Sequence, residues 1–258
     1  MRITSWNFLH GQPLQPGASS QQVLQSLGSD VIALQEIDYR LSRSGAGVQA
    51  EEVGQAISAA TWGFAPTISG TPGEKWRKLQ SDELIVITDS KDQSSYYGLA
   101  IASKIPVKYW LRLELGRSLI GMPLAIANES GKLRLLYVKD EPRVAMAAIL
   151  ENGYAVVNLH LSFVPLVNLY QLMKVSRWCS KLEKLYGVKV ILLGDFNLPW
   201  GIPSKLTSWK RATQALSYPS WSPKISFDYI LARNIQDITE IQHPQQPISD
   251  HHPITIEL

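Results

Sequence analysis

A short apolar segment, residues 190–193, ends at Gly194 and is followed by two small polar residues, Asp195 and Asn197. The segment is too short for a buried helix and is closed by a breaker, which predicts a buried strand that ends at a polar site. If the extended path continues through Phe196, the side chains of Asp195 and Asn197 share one face. A carboxylate and an amide at that spacing suit the binding of a water, a metal or a phosphate oxygen. The same residues also fit a simple turn, because Asp and Asn both close backbone turns.

Other predicted strands also end in, or carry, acidic, amide or imidazole side chains. These side chains belong to Asn7, Gln35, Glu36, Asn158, His160, Asp228, Asp250, His251 and His252. Each alone has an ordinary explanation, such as a turn cap, an exposed loop acid or a hydrogen-bonded core histidine. Asp228 lies among apolar residues, where a carboxylate is expected to be paired or functional. The recurrence of the pattern at so many strand ends favours one shared site.

The chemistry of this set favours a hard divalent cation. It includes the acids Glu36, Asp195, Asp228 and Asp250, and carboxylate and amide oxygens prefer Mg²⁺ or Mn²⁺ to zinc. The single cysteine, Cys179, excludes an intramolecular disulfide and a cysteine metal cluster, and its helical apolar surroundings predict a packed core thiol. A magnesium or manganese site of this kind activates water and neutralises charge on a phosphate.

The elements that must position these residues are mostly strands. We predict strands over residues 2–8, 31–34, 84–88, 98–103, 107–115, 133–138, 143–150, 154–160, 190–193, 227–232 and 253–258. We predict helices over residues 19–27, 48–60, 166–186 and around 207–216. Residues 61–80 are rich in Gly, Pro and Trp, and no strand or helix is predicted there. No linker or repeat divides the sequence, so we expect one α+β domain over residues 1–258, built on packed sheets.

The composition is that of an ordinary globular protein. The chain has 258 residues, of which 45% are hydrophobic and 18% are charged, and this balance excludes a disordered protein. A net charge of +3 permits an anionic partner without requiring one. The first residues lack the apolar core of a signal peptide, and the most apolar long window, residues 153–173, is interrupted by polar residues. We therefore expect no membrane span and a soluble cytoplasmic protein.

Six segments, in order along the chain, resemble the motifs of the endonuclease/exonuclease/phosphatase superfamily, the group similar to DNase I. These segments are Ser5-Trp6-Asn7, Leu34-Gln35-Glu36, Asn158-Leu159-His160-Leu161, Gly194-Asp195-Phe196-Asn197, Asp228-Tyr229 and Ser249-Asp250-His251. Several motifs in this order are specific for the superfamily but say very little about the substrate. The resemblance implies a four-layer α/β sandwich, in which two mixed sheets pack face to face with helices outside and a metal site lies at one edge.

The resemblance also implies a role for each matched residue. Asn7 and Glu36 resemble ligands of the divalent ion, joined by Asp250 directly or through a water. Asp195 resembles the residue that orients or deprotonates the attacking water, and Asn197 a hydrogen-bond donor to the phosphate.

Two histidines complete the implied catalytic set. His251, oriented by Asp228, resembles the histidine that contacts the phosphoryl oxygens or shuttles a proton. His160 would donate to the same phosphate from another side.

Three functions follow as hypotheses. The first is a metal-dependent phosphodiesterase or nuclease, the second a phosphatase or phospholipase-type hydrolase of a small or lipid phosphoester, and the third a non-catalytic binding module. Basic residues next to tryptophans at 75–78 and 209–211, together with Arg40 and Arg43, could hold phosphates of a nucleic acid while the rings stack on bases. The same clusters equally fit solvated loops around a packed tryptophan.

Overall fold

The computed structural model describes residues 1–127 and 133–258. In chain order the strands are β1 (Arg2–Asn7), β2 (Val31–Tyr39), β3 (Thr61–Gly70), β4 (Trp76–Lys78), β5 (Tyr96–Ser103), β6 (Val107–Gly116), β7 (Met122–Ala127), β8 (Leu133–Val138), β9 (Arg143–Leu150), β10 (Tyr154–His160), β11 (Lys189–Asp195), β12 (Lys210–Arg211), β13 (Asp228–Ala232), β14 (Thr239–Ile241) and β15 (Ile254–Glu257). The helices are α1 (Ser20–Ser26), α2 (Gln49–Ala56), α3 (Val167–Tyr186) and α4 (Ile202–Leu206).

The strands form two mixed sheets. Among the residues described, the first sheet has seven strands in the order β14-β15-β1-β2-β5-β3-β4, and the second has six in the order β12-β13-β11-β10-β9-β6. Each sheet contains one parallel pair, β1 with β2 and β10 with β11, and its other neighbours are antiparallel. Strands β7 and β8 pair with each other as a separate hairpin.

Side chains alternate between two buried faces along the central strands, as the two-residue period of a strand requires. On β2, Val31 and Ala33 pack between the sheets, whereas Ile32 and Leu34 face α1 and α2. On β11, Ile191 and Leu193 pack between the sheets, whereas Val190 and Leu192 face α3 and Cys179. The layers are therefore helix, sheet, sheet and helix, which confirms the predicted four-layer α/β sandwich. Within the described part of the chain, no helix combines the length and apolar character needed to cross a membrane.

No element was predicted over residues 61–80, but β3 occupies the first half of this segment and pairs with both β5 and β4. Two residues that signalled a loop have specific places in this strand. Gly63 lies against the ring of Trp110, where a Cβ atom would approach the ring to 2.8 Å. Pro66 adjoins a bulge in the pairing with β5, and proline is tolerated in a sheet at such positions.

Two further predictions were wrong. Residues 207–216 contain the short strand β12 instead of a helix, and the helix of this region is α4. Residues 84–88 form no strand; Ile87 makes an isolated bridge to Phe64. In the 207–216 segment, tertiary pairing of β12 with β13 outweighs local helical spacing.

Two buried side-chain amides, those of Gln35 and Asn158, join the two sheets. Gln35 Nε2 on β2 donates to Asn158 Oδ1 on β10 at 2.7 Å. Asn158 Nδ2 in turn donates to the main-chain oxygens of Leu34 and Ala100 at 2.9 and 3.0 Å. Because buried polar groups must be hydrogen-bonded, this arrangement fixes one position of β10 over the first sheet.

Strands β10 and β11 approach each other closely at Gly194. Its φ is +138°, and a Cβ atom there would lie 1.9 Å from the main-chain oxygen of Leu159. Only glycine fits this contact. The contact sets the register in which His160 lies beside Asp195.

We expect Asn158→Leu to lower the free energy of unfolding by about 3 kcal/mol, because two buried carbonyl oxygens lose their bonds from Asn158 and Gln35 Nε2 keeps only its 3.4 Å bonds to Ser5 and Ala33. Urea denaturation measures the change. The exposed Gln236→Leu should shift stability by less than about 0.5 kcal/mol. Equal effects of the two substitutions would contradict a role for the cross-sheet amides.

Candidate active site

The structure brings the predicted site residues to one edge of the sandwich. The first sheet contributes Asn7, from the end of β1, and Glu36, from the middle of β2. The second sheet contributes His160, Asp195 and Asp228, from β10, β11 and β13. The segment before β15 contributes Asp250 and His251.

Asn7 connects the two sheets at this edge. Its Nδ2 donates to Glu36 Oε1 at 3.0 Å and to Asp195 Oδ2 at 3.1 Å. Glu36 reaches this position because β2 has a bulge between Leu34 and Ile37, and Glu36 adopts a φ of +57°. A bulge re-aims a side chain in this way, here out of the alternation of the strand and toward the site.

Asp228 and His251 form a buried ion pair beside Asp195. His251 Nδ1 donates to Asp228 Oδ2 at 2.7 Å, and His251 Nε2 lies 3.9 Å from Asp195 Oδ2. Asp195 and Asp228 are direct partners across β11 and β13, so two carboxylates face one imidazole. Burial opposes the positive charge of His251, but the charge and hydrogen bond of Asp228 outweigh it and raise the pKa of His251 to about 10.

His160 approaches Asp195 from the other side and has the opposite charge state. Its Nε2 lies 3.6 Å from Asp195 Oδ2. Burial, together with the positive charges of Arg143 and His251, holds the pKa of His160 well below its usual range. The site therefore contains one charged and one neutral imidazole, on either side of the same carboxylate.

Asn197 has a φ of +50°, so the chain leaves the extended path of β11 at this residue. Its main-chain N–H donates to Asp195 Oδ1 at 2.9 Å, and its Nδ2 donates to the main-chain oxygen of Leu161 at 2.9 Å. This local geometry is that of a turn, which is one of the two interpretations of the segment, and its role in a site stays a prediction. Phe196 packs in the core against Tyr229.

The residues around Glu36 fit a hard divalent cation. Burial, with the charges of Asp250 and Asp195, raises the pKa of Glu36 to about 7 against the opposing hydrogen bond from Asn7. Burial and the charge of Asp228 raise the pKa of Asp195 to about 6, and burial raises that of Asp250. Carboxylates that repel one another in a desolvated space are stabilised by a cation, and their oxygens suit Mg²⁺ or Mn²⁺.

A second group of possible ligands, Asp195, Asp228 and His251, has atoms within 4.8 Å of one another. This group fits a metal less well. The pKa of about 10 keeps His251 protonated near neutral pH, and its Nδ1 is already bonded to Asp228. A metal-binding histidine must instead be neutral.

Arg143, a buried cation whose charge reaches His160, was not predicted as a site residue. Its guanidinium lies 3.0 Å from Glu141 and 3.4 Å from Asp140, and its Nε has no hydrogen-bond partner among the described residues. Its charge acts on both His160 and Glu36. The available signal was a single basic residue at the start of an otherwise apolar strand.

Two further missed residues support the catalytic histidine candidate. Ser249 donates to the main-chain oxygen of Asn7 at 2.6 Å and accepts from the main-chain N–H of His251 at 3.2 Å. The ring of Tyr218 packs 4.9 Å from that of His251. Ser249 belongs to a matched segment but was given no role of its own, and Tyr218 did not stand out in sequence because it contacts a residue distant along the chain.

The basic and aromatic clusters are mostly engaged in structural contacts. Trp209 is buried under Arg233, so its ring is closed to a base, which corrects the expectation for residues 209–211. Arg43 pairs with Asp38 at 2.7 Å, and Arg40 donates to the main-chain oxygens of Ser90 and Asp92. In the 75–78 cluster, Arg77 pairs with Glu83 at 2.7 Å, and the ring of Trp76 lies under Arg117.

Comparison with protein families matches residues 4–251 to the Endonuclease/Exonuclease/phosphatase family. The matched range contains every residue of the candidate site. No curated protein matches the chain.

Solved structures with the same fold include three that cover nearly the whole chain. An endonuclease/exonuclease/phosphatase from Beutenbergia cavernae DSM 12333 is 16% identical, with a TM-score of 0.63 over 99% of this chain and 70% of that one. A mannosyl-6-phosphatase of Bacteroides thetaiotaomicron VPI-5482 is 12% identical, with a TM-score of 0.58 over 100% and 98%. The human Nocturnin catalytic domain, with bound sulfate, is 14% identical, with a TM-score of 0.59 over 99% and 92%. At these identities the likeness establishes the fold.

Replacement of Glu36 by Gln tests the metal site. The pKa of Glu36 is raised on folding, so its charge destabilises the metal-free fold above about pH 7, and this penalty is absent below pH 4.5. We therefore expect Glu36→Gln to stabilise the metal-free protein at pH 8 by about 1 to 2 kcal/mol and to lose most of the stabilisation by Mg²⁺. Thermal unfolding with and without Mg²⁺ measures both effects. The exposed Glu74→Gln is the control, and an unchanged Mg²⁺ response of Glu36→Gln would contradict the assignment.

Replacement of Asp228 by Asn tests the ion pair with His251. Because the negative charge of Asp228 holds the pKa of His251 near 10, the variant should lower that pKa toward the ordinary value of 6.5. NMR titration of the histidine ring signals in the metal-free protein measures the shift, and His10 serves as an internal control. A His251 pKa unaffected by the substitution would show that Asp228 does not control its charge.

Proposed function

The chain belongs to the endonuclease/exonuclease/phosphatase family, whose members are hydrolases of phosphoester bonds, and from this premise we propose that it is a divalent-metal-dependent phosphodiesterase. In the proposed reaction an activated water attacks phosphorus. Asn7 and Glu36 hold the cation, with Asp250 as a further ligand, either direct or through water. Bound there, Mg²⁺ or Mn²⁺ would supply positive charge to the phosphate and acidify water.

The position of Asp195 is the observation that supports this proposal. Its carboxylate lies 3.1 Å from Asn7 Nδ2, 3.6 Å from His160 Nε2 and 3.9 Å from His251 Nε2. Its pKa of about 6 leaves it ionised at neutral pH and still able to take a proton, as a general base should. A water held between this carboxylate and a phosphate would lose its proton to Asp195 as it attacks.

The two histidines act on the phosphate in different ways. His251, charged and oriented by Asp228, presents Nε2–H to a phosphoryl oxygen and stabilises the negative charge that grows there. Neutral His160 donates its hydrogen bond from the opposite side, and the Asn197 amide contributes another. Because these groups are positioned before the substrate binds, their interactions strengthen toward the transition state.

The charges of the site favour a diester over a monoester. A phosphodiester carries one negative charge, whereas a monoester carries about two near neutral pH. Among the described residues of the site, the charged side chains able to offset this are His251 and Arg143, and Arg143 is already paired with Asp140 and Glu141. The charge of the divalent cation would be offset by Glu36, Asp195 and Asp250, so little positive charge is left for a second negative charge on the substrate.

A phosphatase acting on a small phosphoester is the second candidate. It is favoured by the likeness of the fold to a protein described as a mannosyl-6-phosphatase. Nucleic acid is one class of diester to test. The closed environment of Trp209 and the paired arginines give it no particular support.

A substrate panel tests the proposal and its alternatives. With Mg²⁺ or Mn²⁺, we expect the protein to hydrolyse bis(p-nitrophenyl) phosphate faster than p-nitrophenyl phosphate. Asp195→Asn should lower kcat for the diester by about a thousandfold or more while the unfolding temperature stays within a few degrees, because the substitution removes the base and keeps its shape. Glu74→Gln again serves as the exposed control.

Different results on this panel would lead to different conclusions. Faster monoester turnover would favour the phosphatase. Metal binding without turnover on nucleic acid, nucleotide, sugar phosphate and lipid substrates would favour a non-catalytic binding module. Full activity of a folded Asp195→Asn protein would remove the proposed mechanism.

A further inference from the structure

An exposed apolar tip projects beside the candidate active site. Leu119 and Ile120 are consecutive residues between β6 and the β7–β8 hairpin, and 94% and 68% of their surfaces are accessible. Tyr137, on the hairpin, is 65% exposed, and its hydroxyl accepts from the Gly121 N–H at 3.1 Å. Neighbouring aliphatic and aromatic side chains this exposed are characteristic of an interaction surface.

Buried hydrogen bonds anchor this tip to the site. Asp140 Oδ2 accepts from the main-chain N–H of Ser118 and from Ser162 Oγ, both at 2.7 Å. Ser162 follows His160 by two residues. Gln171 of α3 adds a second connection, since it accepts from the Ser162 N–H at 2.8 Å and donates to the main-chain oxygen of Gly116 at 3.3 Å. The hydrogen bonds that hold Gly116 and Ser118, just before the exposed residues, therefore lead to Ser162, two residues after His160.

The start of α3 carries two more exposed side chains of this kind. Leu166, with a φ of +67°, is the residue immediately before α3, and Tyr170 lies in the first turn of the helix. The adjoining Gln171 is the residue that ties α3 to Gly116. Leu119, Ile120, Tyr137, Leu166 and Tyr170 are together termed the apolar rim.

Basic side chains flank the apolar rim. Lys139 is exposed next to the hairpin and Arg177 is exposed on α3, whereas Arg117 lies over the ring of Trp76 and donates to the main-chain oxygen of Asp140. The nearby acids Asp140 and Glu141 are buried and paired with Arg143. Exposed cations such as Lys139 and Arg177 beside apolar side chains fit the interface of a membrane that contains anionic lipids.

We propose that the apolar rim inserts into an anionic lipid surface and thereby presents lipid headgroup phosphodiesters to the site beside it. This inference rests on the proposed phosphodiesterase function. A lipid diester would leave its apolar part in the membrane while its phosphate reaches Asp195 and the two histidines. Apolar burial supplies the attachment, and the basic residues select an anionic surface.

Vesicle binding and soluble turnover test the surface and the catalytic site separately. The full chain is sedimented with vesicles of phosphatidylcholine and phosphatidylserine in equal parts, and with vesicles of phosphatidylcholine alone. We expect the double substitution Leu119→Ser and Ile120→Ser to lower partitioning onto the mixed vesicles about tenfold or more. Leu185→Ser, at the other end of α3 and similarly exposed, is the matched control and should bind like the original protein.

Hydrolysis of bis(p-nitrophenyl) phosphate, which is water-soluble, should be unchanged in both variants. Phospholipid hydrolysis in mixed vesicles should fall together with vesicle binding, and only in the double variant.

Failure of the original chain to bind mixed vesicles, or equal binding by the double variant, would overturn the proposal. A dimer in gel filtration that the double substitution dissociates, without vesicle binding, would assign the rim to a second copy instead. Absence of turnover on every soluble phosphoester would refute the phosphodiesterase, and vesicle binding would still decide the role of the rim.

Discussion

The hydrogen bond between Gln35 and Asn158 is the contact on which the site depends, because it joins two half-sites carried by different sheets. Glu36 follows Gln35 in the chain, and His160 lies two residues beyond Asn158. A buried amide pair has one favourable arrangement, whereas apolar side chains tolerate small sliding motions. The sandwich therefore holds Glu36 on one sheet and His160 on the other in a fixed relation.

The edge of the sandwich contains conformations and charges that the rest of the fold must stabilise. Three non-glycine residues around the site, Glu36, Asn197 and Ser249, have φ values of +57°, +50° and +61°. Each such conformation costs on the order of 1 to 3 kcal/mol and persists only where surrounding contacts determine it. The buried carboxylates add electrostatic repulsion, which His251 relieves in part. The site is thus less stable than the core and is maintained by it, as expected where function and stability compete.

Much of the architecture could be predicted from the sequence, because alternating and continuous apolar segments report directly on buried strands. The site ends of the strands that carry Asn7 and His160 were predicted within one residue, and that of the strand that carries Asp195 within two. The strand β3 was missed because its glycine and proline are explained by a partner ring and a bulge, neither of which is local. The helix expected around 207–216 failed for the same reason, since pairing with β13 decides that segment.

The candidate site was less predictable than the fold. Residue types could be identified, but the turn at Asn197 and the ion pairs of Arg143 depend on neighbours far along the chain. The basic clusters illustrate the opposite error, because composition cannot distinguish a free tryptophan from one buried like Trp209.

The contact of Gly194 with the Leu159 carbonyl has a consequence for how this protein could be altered. A Cβ atom at residue 194 would lie 1.9 Å from the Leu159 carbonyl oxygen, so any other residue there would push β10 and β11 apart where His160 lies beside Asp195. Laboratory evolution toward larger substrates would therefore have to proceed through insertions and exchanges in the surrounding loops. Strands β10 and β11 themselves would have to stay unchanged at this contact.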